Sequence, residues 1–243
     1  MGRMLEVERV TLRFGERVIF QDLDLTLGEK EYLLILGKSG SGKTLLLKLC
    51  AGLIAPNQGR VKLMGLDWAT AEKEELEALR KNVGFVFQDG ALISNMSIFD
   101  NVALPLRYHY RWSEAEVRRR VDEVMTLLGV DRSDDRSIPA QVSLGMRKRV
   151  ALARALVLEP QLIFLDQATE GLGLQGEQEI NRILREYGAR KGASFLAAMG
   201  EAPAILPEAD RIGVLQDGRI IEGEPLPKMQ ERAKADPQAA GLD

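Results

Sequence analysis

The sequence predicts an α/β domain, a sheet interrupted by a mostly helical insertion. Three observations carry that prediction. Tyr32–Leu36 is a continuous apolar run that ends in a glycine-rich loop, the pattern of a buried parallel strand. Short apolar strands alternate with helical stretches on both sides of the middle of the chain. The middle itself, from residue 90 to 155, has helical periodicity.

Taken in order, Leu5, Val7, Val10, Leu12 and Phe14 fall close to alternation and predict a strand, and Val18–Leu27 offers further short strands. A helix is expected over Lys43–Ala51, and strands over Arg60–Met64 and Val83–Phe87. In the insertion, Ser113-Glu114-Ala115-Glu116 has the pattern of a capping box. Val117, Val121, Val124 and Leu128 then recur at helical spacing, and Gly129 is placed to close the helix. Strand and helix alternate again afterwards: strand over Leu162–Leu165, helix over Gly176–Tyr187, strand over Ser194–Ala197. Ile212–Leu215 and Arg219–Ile221 flank Asp217-Gly218, a tight-hairpin signal. The polar stretch from Pro225 onward reads as a loosely held tail.

The bulk numbers set bounds. The 243 residues suffice for one large α/β domain, or for one with a small inserted subdomain. With 45% hydrophobic and 28% charged residues, a packed core is expected rather than disorder. A net charge of −3 gives no basic excess for nucleic acid, and Arg118-Arg119-Arg120 reads as a solvated helix face. The single cysteine, Cys50, excludes an internal disulfide and reads as a small core residue in a reducing compartment. The first residues lack the apolar segment of a secretory signal, and no run of about 18 apolar residues predicts a membrane span.

Gly37-Lys38-Ser39-Gly40-Ser41-Gly42-Lys43-Thr44 matches G-x-x-x-x-G-K-[ST] in full. Glycines let the main chain wrap so that successive N–H groups face phosphate oxygens, and the helix that follows turns its positive end to the same anion. Lys43 is expected on the β- and γ-phosphates, and the Thr44 hydroxyl on Mg²⁺. A chance match in a glycine-rich turn would not need the apolar strand before it and the run Leu45-Leu46-Leu47 after it, both of which are present.

Four further segments occur in the order found in ATP-binding cassette (ABC) ATPases. Gly84-Phe85-Val86-Phe87-Gln88 resembles the Q-loop of that family. Val142-Ser143-Leu144-Gly145-Met146 and the following Arg149–Leu156 resemble the ABC signature and its helix, and Leu162–Asp166 resembles Walker B. Asp210–Ile220 resembles the closing strand pair, so the likeness runs from residue 3 to 225. Phe87–Leu92, Ile98–Arg107 and Met146 resemble, more narrowly, the Mla-type phospholipid transporter ATPase.

The resemblance implies a P-loop NTPase (RecA-like) core with an N-terminal antiparallel β subdomain and an inserted helical subdomain. Mapped on this chain, the core is 1–90 and 156–224, the helical subdomain 91–155 and the tail 225–243. It implies ATP and Mg²⁺ as ligands. Phe14 would stack on adenine, although a strand aromatic in the core is the alternative reading of that residue. Gln88 would sense the γ-phosphate and Mg²⁺, and Asp166 would hold the Mg²⁺ shell. Ser143 and Gly145 would close on the nucleotide of a partner subunit. Implied partners are an integral membrane permease, an MCE-type substrate-binding protein beyond it, and a second ATPase copy or chain. The implied location is the cytoplasmic face of the inner membrane. His109, the only histidine, lies far from these motifs and is expected in a surface or packing role.

The departures from the family pattern include the groups that would serve the transition state. Gln167 stands where the family has its catalytic glutamate, and an amide cannot accept the proton of the attacking water. Ala168 replaces a proline, Gly173 the D-loop aspartate and Leu144 the first signature glycine. Gly200, followed by Glu201, stands where the switch histidine belongs. A substitution made to trap ATP would stop at Gln167, so the set reads as natural degeneration, with an engineered change at Gln167 alone the alternative. Binding of Mg²⁺–ATP with weak or lost hydrolysis is therefore expected, in a homodimer, in a pair with a competent second ATPase, or in a regulatory module without transport.

Overall fold

The computed structural model describes residues 2–200 and 209–223. The 201–208 segment, which holds Glu201, and the predicted tail from residue 225 lie outside the described residues. The chain divides into two compact units, one from Met1–Ala71 with Ser194–Asp243 and the other Glu72–Ala193.

The first unit contains an antiparallel sheet of four strands in the order β2-β1-β4-β5. These are β1 (Arg3–Phe14), β2 (Arg17–Gly28), β4 (Gln58–Leu63) and β5 (Leu66–Asp67). Alternation along β1 and β2 buries one face, with Leu5, Val7, Val10, Leu12, Phe20, Leu23, Leu25 and Leu27 nearly inaccessible. The separate short strands expected over Val18–Leu27 are one twelve-residue strand. The register with β1 shifts between Val7 and Val10, where Arg9 is left-handed (φ 45°), so a local irregularity breaks the alternation without ending the strand.

The same unit holds a second group of strands, β3 (Tyr32–Leu36), β8 (Ser194–Met199), β9 (Arg211–Gln216) and β10 (Arg219–Gly223). β3 pairs in parallel with both β8 and β9, and β9 turns back antiparallel to β10. β3 and β8 are buried at every position, as parallel strands require. Tyr32 packs on Phe195 across this pair, ring centroids 5.1 Å apart. Asp217 and Gly218 are both left-handed (φ 48° and 73°), which the predicted hairpin demands. Helix α1 (Lys43–Cys50) follows the glycine loop and buries Leu46, Leu47, Leu49 and Cys50. Burial pushes the Cys50 thiol far above its usual range, as expected of a core cysteine.

The second unit contains two parallel strands, β6 (Val83–Val86) and β7 (Leu162–Asp166), and five α-helices among its described elements. They are α2 (Lys73–Arg80), α3 (Ile98–His109), α4 (Glu114–Leu127), α5 (Leu144–Leu156) and α6 (Gly173–Lys191). Phe85 stacks on Phe164 between β6 and β7. The capping box at α4 forms as predicted: Ser113 Oγ accepts from the Glu116 N–H, and the Glu116 carboxylate accepts from the Ser113 N–H. Gly129 is left-handed just past α4. Helix α2 was not predicted; it buries only Leu79 and begins with a capping box built from Glu72 and Glu75. Helix α6 runs from Gly173 to Lys191, longer than predicted, and ends at left-handed Gly192. Phe87 lies past the end of β6. Arg118, Arg119 and Arg120 are on α4 and are all ion-paired, Arg118 with Asp122 and Asp135, Arg120 with Glu123 and Glu159. His109 closes α3 against Tyr108. Burial first, then Lys81, lowers its pKa.

Candidate nucleotide site

In the first unit the chain leaves the buried strand β3 and wraps through Gly37–Thr44 into α1. The wrap depends on glycine. A Cβ on Gly37 would stand 2.8 Å from both the Leu215 carbonyl oxygen and Ser41 Oγ, closer than packing permits. Gly42, at φ 101°, caps α1 in the left-handed region, and a Cβ there would press on Ile19 and Phe20 of β2. Strand β2 thus lies behind the loop and holds its shape.

The start of α1 carries no acidic side chain in its first turn and no side-chain cap. Its positive end is therefore uncompensated from within the helix, which suits an anion. Ser41 Oγ is buried and has no hydrogen-bond partner in the protein, a donor left for something the loop binds. The Lys43 side chain is 4% exposed. Its ammonium donates to the Gly37 and Lys38 carbonyls at 2.7 and 2.9 Å, so it folds back across the loop's own curve. These features fit the phosphates of a nucleotide. Phe14 ends β1 at the hairpin tip, opposite Arg17, and is 52% exposed. That excludes the alternative of a core aromatic and leaves a free ring face. Gly200 follows the last residue of β8 and contributes no side chain.

In the second unit Asp166 ends β7 and is 1% exposed. The next residue, Gln167, is left-handed (φ 49°), an unusual conformation for a residue with a long side chain. Gln88 comes two residues after β6, and its Nε2 donates to Gln167 Oε1 at 2.9 Å. The Q-loop residue Gln88 and Gln167, the residue that follows Walker B, are therefore brought together. Ser143 caps α5, its Oγ accepting from the Met146 N–H at 3.1 Å. That bond uses an acceptor lone pair and leaves the hydroxyl proton to donate elsewhere. Gly145 lies in the first turn of α5, while Leu144 beside it is 46% exposed. Gly173, in the D-loop position, is left-handed (φ 72°).

Three residues that order this second unit were not anticipated. Asn101, fully buried on α3, bonds the segment that follows Gln88 at Ile93, Met96 and Ser97. Lys148 and Arg154 on α5 bond main-chain carbonyls near Gln167 and Gln88. The signal for the two cations was present: basic residues interrupt a helix whose remaining face is Val150, Ala151, Leu152, Ala153 and Leu156, all buried. Among the described residues no group of histidine, cysteine and carboxylate side chains is arranged to hold a metal by itself, and no helix is long and apolar enough to cross a membrane.

The sequence profile of the ABC transporter family matches residues 20–170. A probable ribonucleotide transport ATP-binding protein of Mycobacterium bovis is 36% identical over 215 residues, covering 88% of this chain and 60% of that protein. A sulfate/thiosulfate import ATP-binding protein of Methylococcus capsulatus is 38% identical over 219 residues, 89% of this chain and 61% of that one. The chain therefore spans about 60% of the length of these curated relatives. Among solved structures, the dimeric bacterial ABC transporter cassette MJ0796 is 30% identical with a TM-score of 0.84, covering 91% of this chain and 98% of its own. The cbiO1 protein of Clostridium perfringens, named as part of the ABC transporter complex cbiONQ, is 26% identical with a TM-score of 0.81, over 100% and 99%.

Proposed function

This chain belongs to the ABC transporter family of ATP-binding domains, and we propose that it is the ATP-binding subunit of a phospholipid-type transporter that holds Mg²⁺–ATP with little or no hydrolysis. The observation that carries the binding half is the Gly37–Thr44 loop. It has no room for a Cβ at Gly37, an unpartnered buried hydroxyl at Ser41, and an uncompensated helix start at Lys43.

In this reading, main-chain N–H groups from Lys38 to Thr44 hold the β- and γ-phosphates, and Lys43 leaves the Gly37 and Lys38 carbonyls for phosphate oxygens. The family resemblance implies Thr44, Gln88 and Asp166 for Mg²⁺, and Phe14 offers its exposed ring to the base. Bound Mg²⁺–ATP supplies a γ-phosphate and a neutralising cation. Gln167 can orient a water through its amide but cannot take its proton. Loss of a positioned general base costs about 10²–10⁴ in rate. Gly200 offers no imidazole to the γ-phosphate. Catalysis requires interactions stronger in the transition state than in the ground state, and the missing groups are the ones expected to provide them.

The cargo is the finer part of the proposal. It rests on the likeness of Phe87–Leu92, Ile98–Arg107 and Met146 to the Mla-type ATPase. The relatives above are named for ribonucleotide and for sulfate or thiosulfate transport. On this reading the chain pairs with a second ATPase copy beneath a membrane permease, with an MCE-type protein beyond, at the cytoplasmic face of the inner membrane. Nucleotide affinity and single-turnover hydrolysis, measured on one preparation, test the first half. Micromolar ATP binding with turnover at least a hundredfold below that of a glutamate-bearing cassette is expected, and ordinary turnover refutes it. Affinity purification from native membranes tests the second. A permease that co-purifies with phospholipid supports the cargo, and one that co-purifies with a nucleotide- or sulfate-binding protein overturns it.

A further inference from the structure

Two cations of α5 each bind main-chain carbonyls in the two segments whose side chains meet in the Gln88–Gln167 bond. Lys148, 5% exposed, donates to the carbonyl of Gln167 at 2.8 Å and to that of Glu170. Arg154 donates to the carbonyls of Gly90 and Ala91, each at 2.8 Å. The backbone at these points is unusual. Gln167, Gly90 and Ala91 all have positive φ, at 49°, 79° and 43°. Left-handed residues turn their carbonyls away from the course of the flanking chain, and a non-glycine residue stays left-handed only where its surroundings hold it. A Cβ on Gly90 would stand 3.4 Å from the Ala151 Cβ, so the segment after Gln88 lies directly on α5.

The energetics favour positioning over ion pairing. Burial is the largest influence on Lys148 and lowers its pKa, against the opposing pull of Glu170, Glu177 and Asp166. Arg154 is likewise lowered by burial, with Asp89 opposing. A desolvated cation that donates its hydrogen bonds to carbonyls is costly to keep, and bonds to a charged donor are stronger than neutral ones.

We infer that Lys148 and Arg154 are positioning residues that set the Gln88–Gln167 amide pair, and through it the discrimination of ATP from ADP. Neither is among the residues assigned above to the nucleotide. Lys148 fixes the backbone of Gln167 and Arg154 that of Gly90 and Ala91, two and three residues after Gln88, so that Gln167 Oε1 meets Gln88 Nε2 and the Gln88 side-chain amide is oriented before the γ-phosphate arrives. The role rests on the nucleotide-binding reading above only for its functional consequence, since the amide pair is a property of the protein alone.

The test uses the full chain and the variants Lys148→Met, Arg154→Met, Gln167→Leu and Gln88→Ala, with Lys148→Arg and Arg154→Lys as conservative partners. The first readout needs no nucleotide: the Gln88 side-chain amide protons, followed by NMR, are expected to be slowed in exchange in the parent. They become fast in Lys148→Met and Arg154→Met and stay slowed in Lys148→Arg. The second is the ratio of ADP to ATP dissociation constants, expected to fall about tenfold in both Met variants, the value of one lost charge-assisted bond, with ADP affinity unchanged. A merely structural role would move both affinities together or neither. If the amide protons stay slowed in both Met variants, the inference is overturned whatever the nucleotide does. If they quicken but the parent binds no nucleotide, the positioning role stands and the proposed function falls. Should Lys148→Met fail to fold, Lys148→Gln is scored by the same two readouts.

Discussion

Replacing Asn101 by alanine removes a side chain that is fully buried and uses its whole amide on one segment. Its Oδ1 accepts from the Ile93 N–H at 2.8 Å. Its Nδ2 donates to the carbonyls of Ile93, Met96 and Ser97 at 3.1, 3.3 and 3.0 Å. An NH₂ group has two protons, so three acceptors share two donors, and the side chain is worth three full bonds rather than four. At about 1 kcal/mol net for each bond, Asn101→Ala costs about 3 kcal/mol. For a domain of this size that lowers the melting temperature by roughly 6–12 °C. Urea unfolding with an unchanged m-value measures it, and hydrogen exchange at the Ile93 N–H localises it. The Ile93–Ser97 segment follows Gln88, so faster exchange there shows that the anchor of the sensor segment has been cut. A loss below about 1 kcal/mol, with Ile93 still protected, would refute the reasoning, because it would mean that water replaces the amide without cost.

Other outcomes follow from the same geometry. Lys43→Ala should weaken ATP and ADP binding by about a hundredfold, the value of a desolvated charge-assisted contact to phosphate, read by equilibrium dialysis. Gln167→Glu with Gly200→His should raise single-turnover hydrolysis by about 10²–10⁴, and Gly200→His alone by far less; unchanged rates in the double variant would dismiss the account of degeneration. Asp100 should confer a pH dependence on stability. The Ser97 hydroxyl, then Arg107, holds its carboxyl below the usual range, against a small opposing effect of burial. A carboxyl depressed on folding stabilises the native state above its unfolded pKa of about 4 and loses that contribution as pH falls through the lower folded value. Asp100→Asn should lower stability at neutral pH, converge with the parent at acid pH, and so flatten the acid limb of a pH–stability curve.

Much of the fold was legible because it rests on periodicity and on glycine. The apolar run Tyr32–Leu36, the Ser113 capping box and the Asp217-Gly218 turn each name their own structure. Helix α2 was not legible, because Leu79 is its sole buried side chain and its polar face resembles a loop. The single long β2 was obscured by the irregular register opposite Arg9 and Asp22, which breaks alternation without breaking the strand. At the site, the residues that contact phosphate in the proposal have a fixed spacing and could be named from sequence. Lys148 and Arg154 stand out as basic residues on an apolar helix, but what they and Asn101 bind could not be named, because all three act on main-chain groups. Any backbone offers carbonyls, so no sequence pattern marks which ones are bound.

Two of the left-handed positions beyond Walker B, Gln167 and Gly173, separate what has drifted from what has been kept. Gly173, where an aspartate is missing, has φ 72°, and a Cβ there would meet nothing within 4 Å. Its backbone has settled into the conformation that glycine holds without strain. Gln167 has φ 49° with a long side chain, and the buried Lys148 holds its carbonyl. Strain of order 1 kcal/mol is retained there although a glycine would relieve it, which argues that the side chain at 167 still has a use. Gln167→Gly should therefore leave global stability within about 1 kcal/mol of the parent, the strain relief offsetting the added freedom of the unfolded chain. The same variant should lose the preference for ATP over ADP as fully as Gln88→Ala does. Stability by urea denaturation and affinity by calorimetry separate the two effects. A large destabilisation with ATP preference intact would show that Gln167 is kept for the fold and not for the nucleotide.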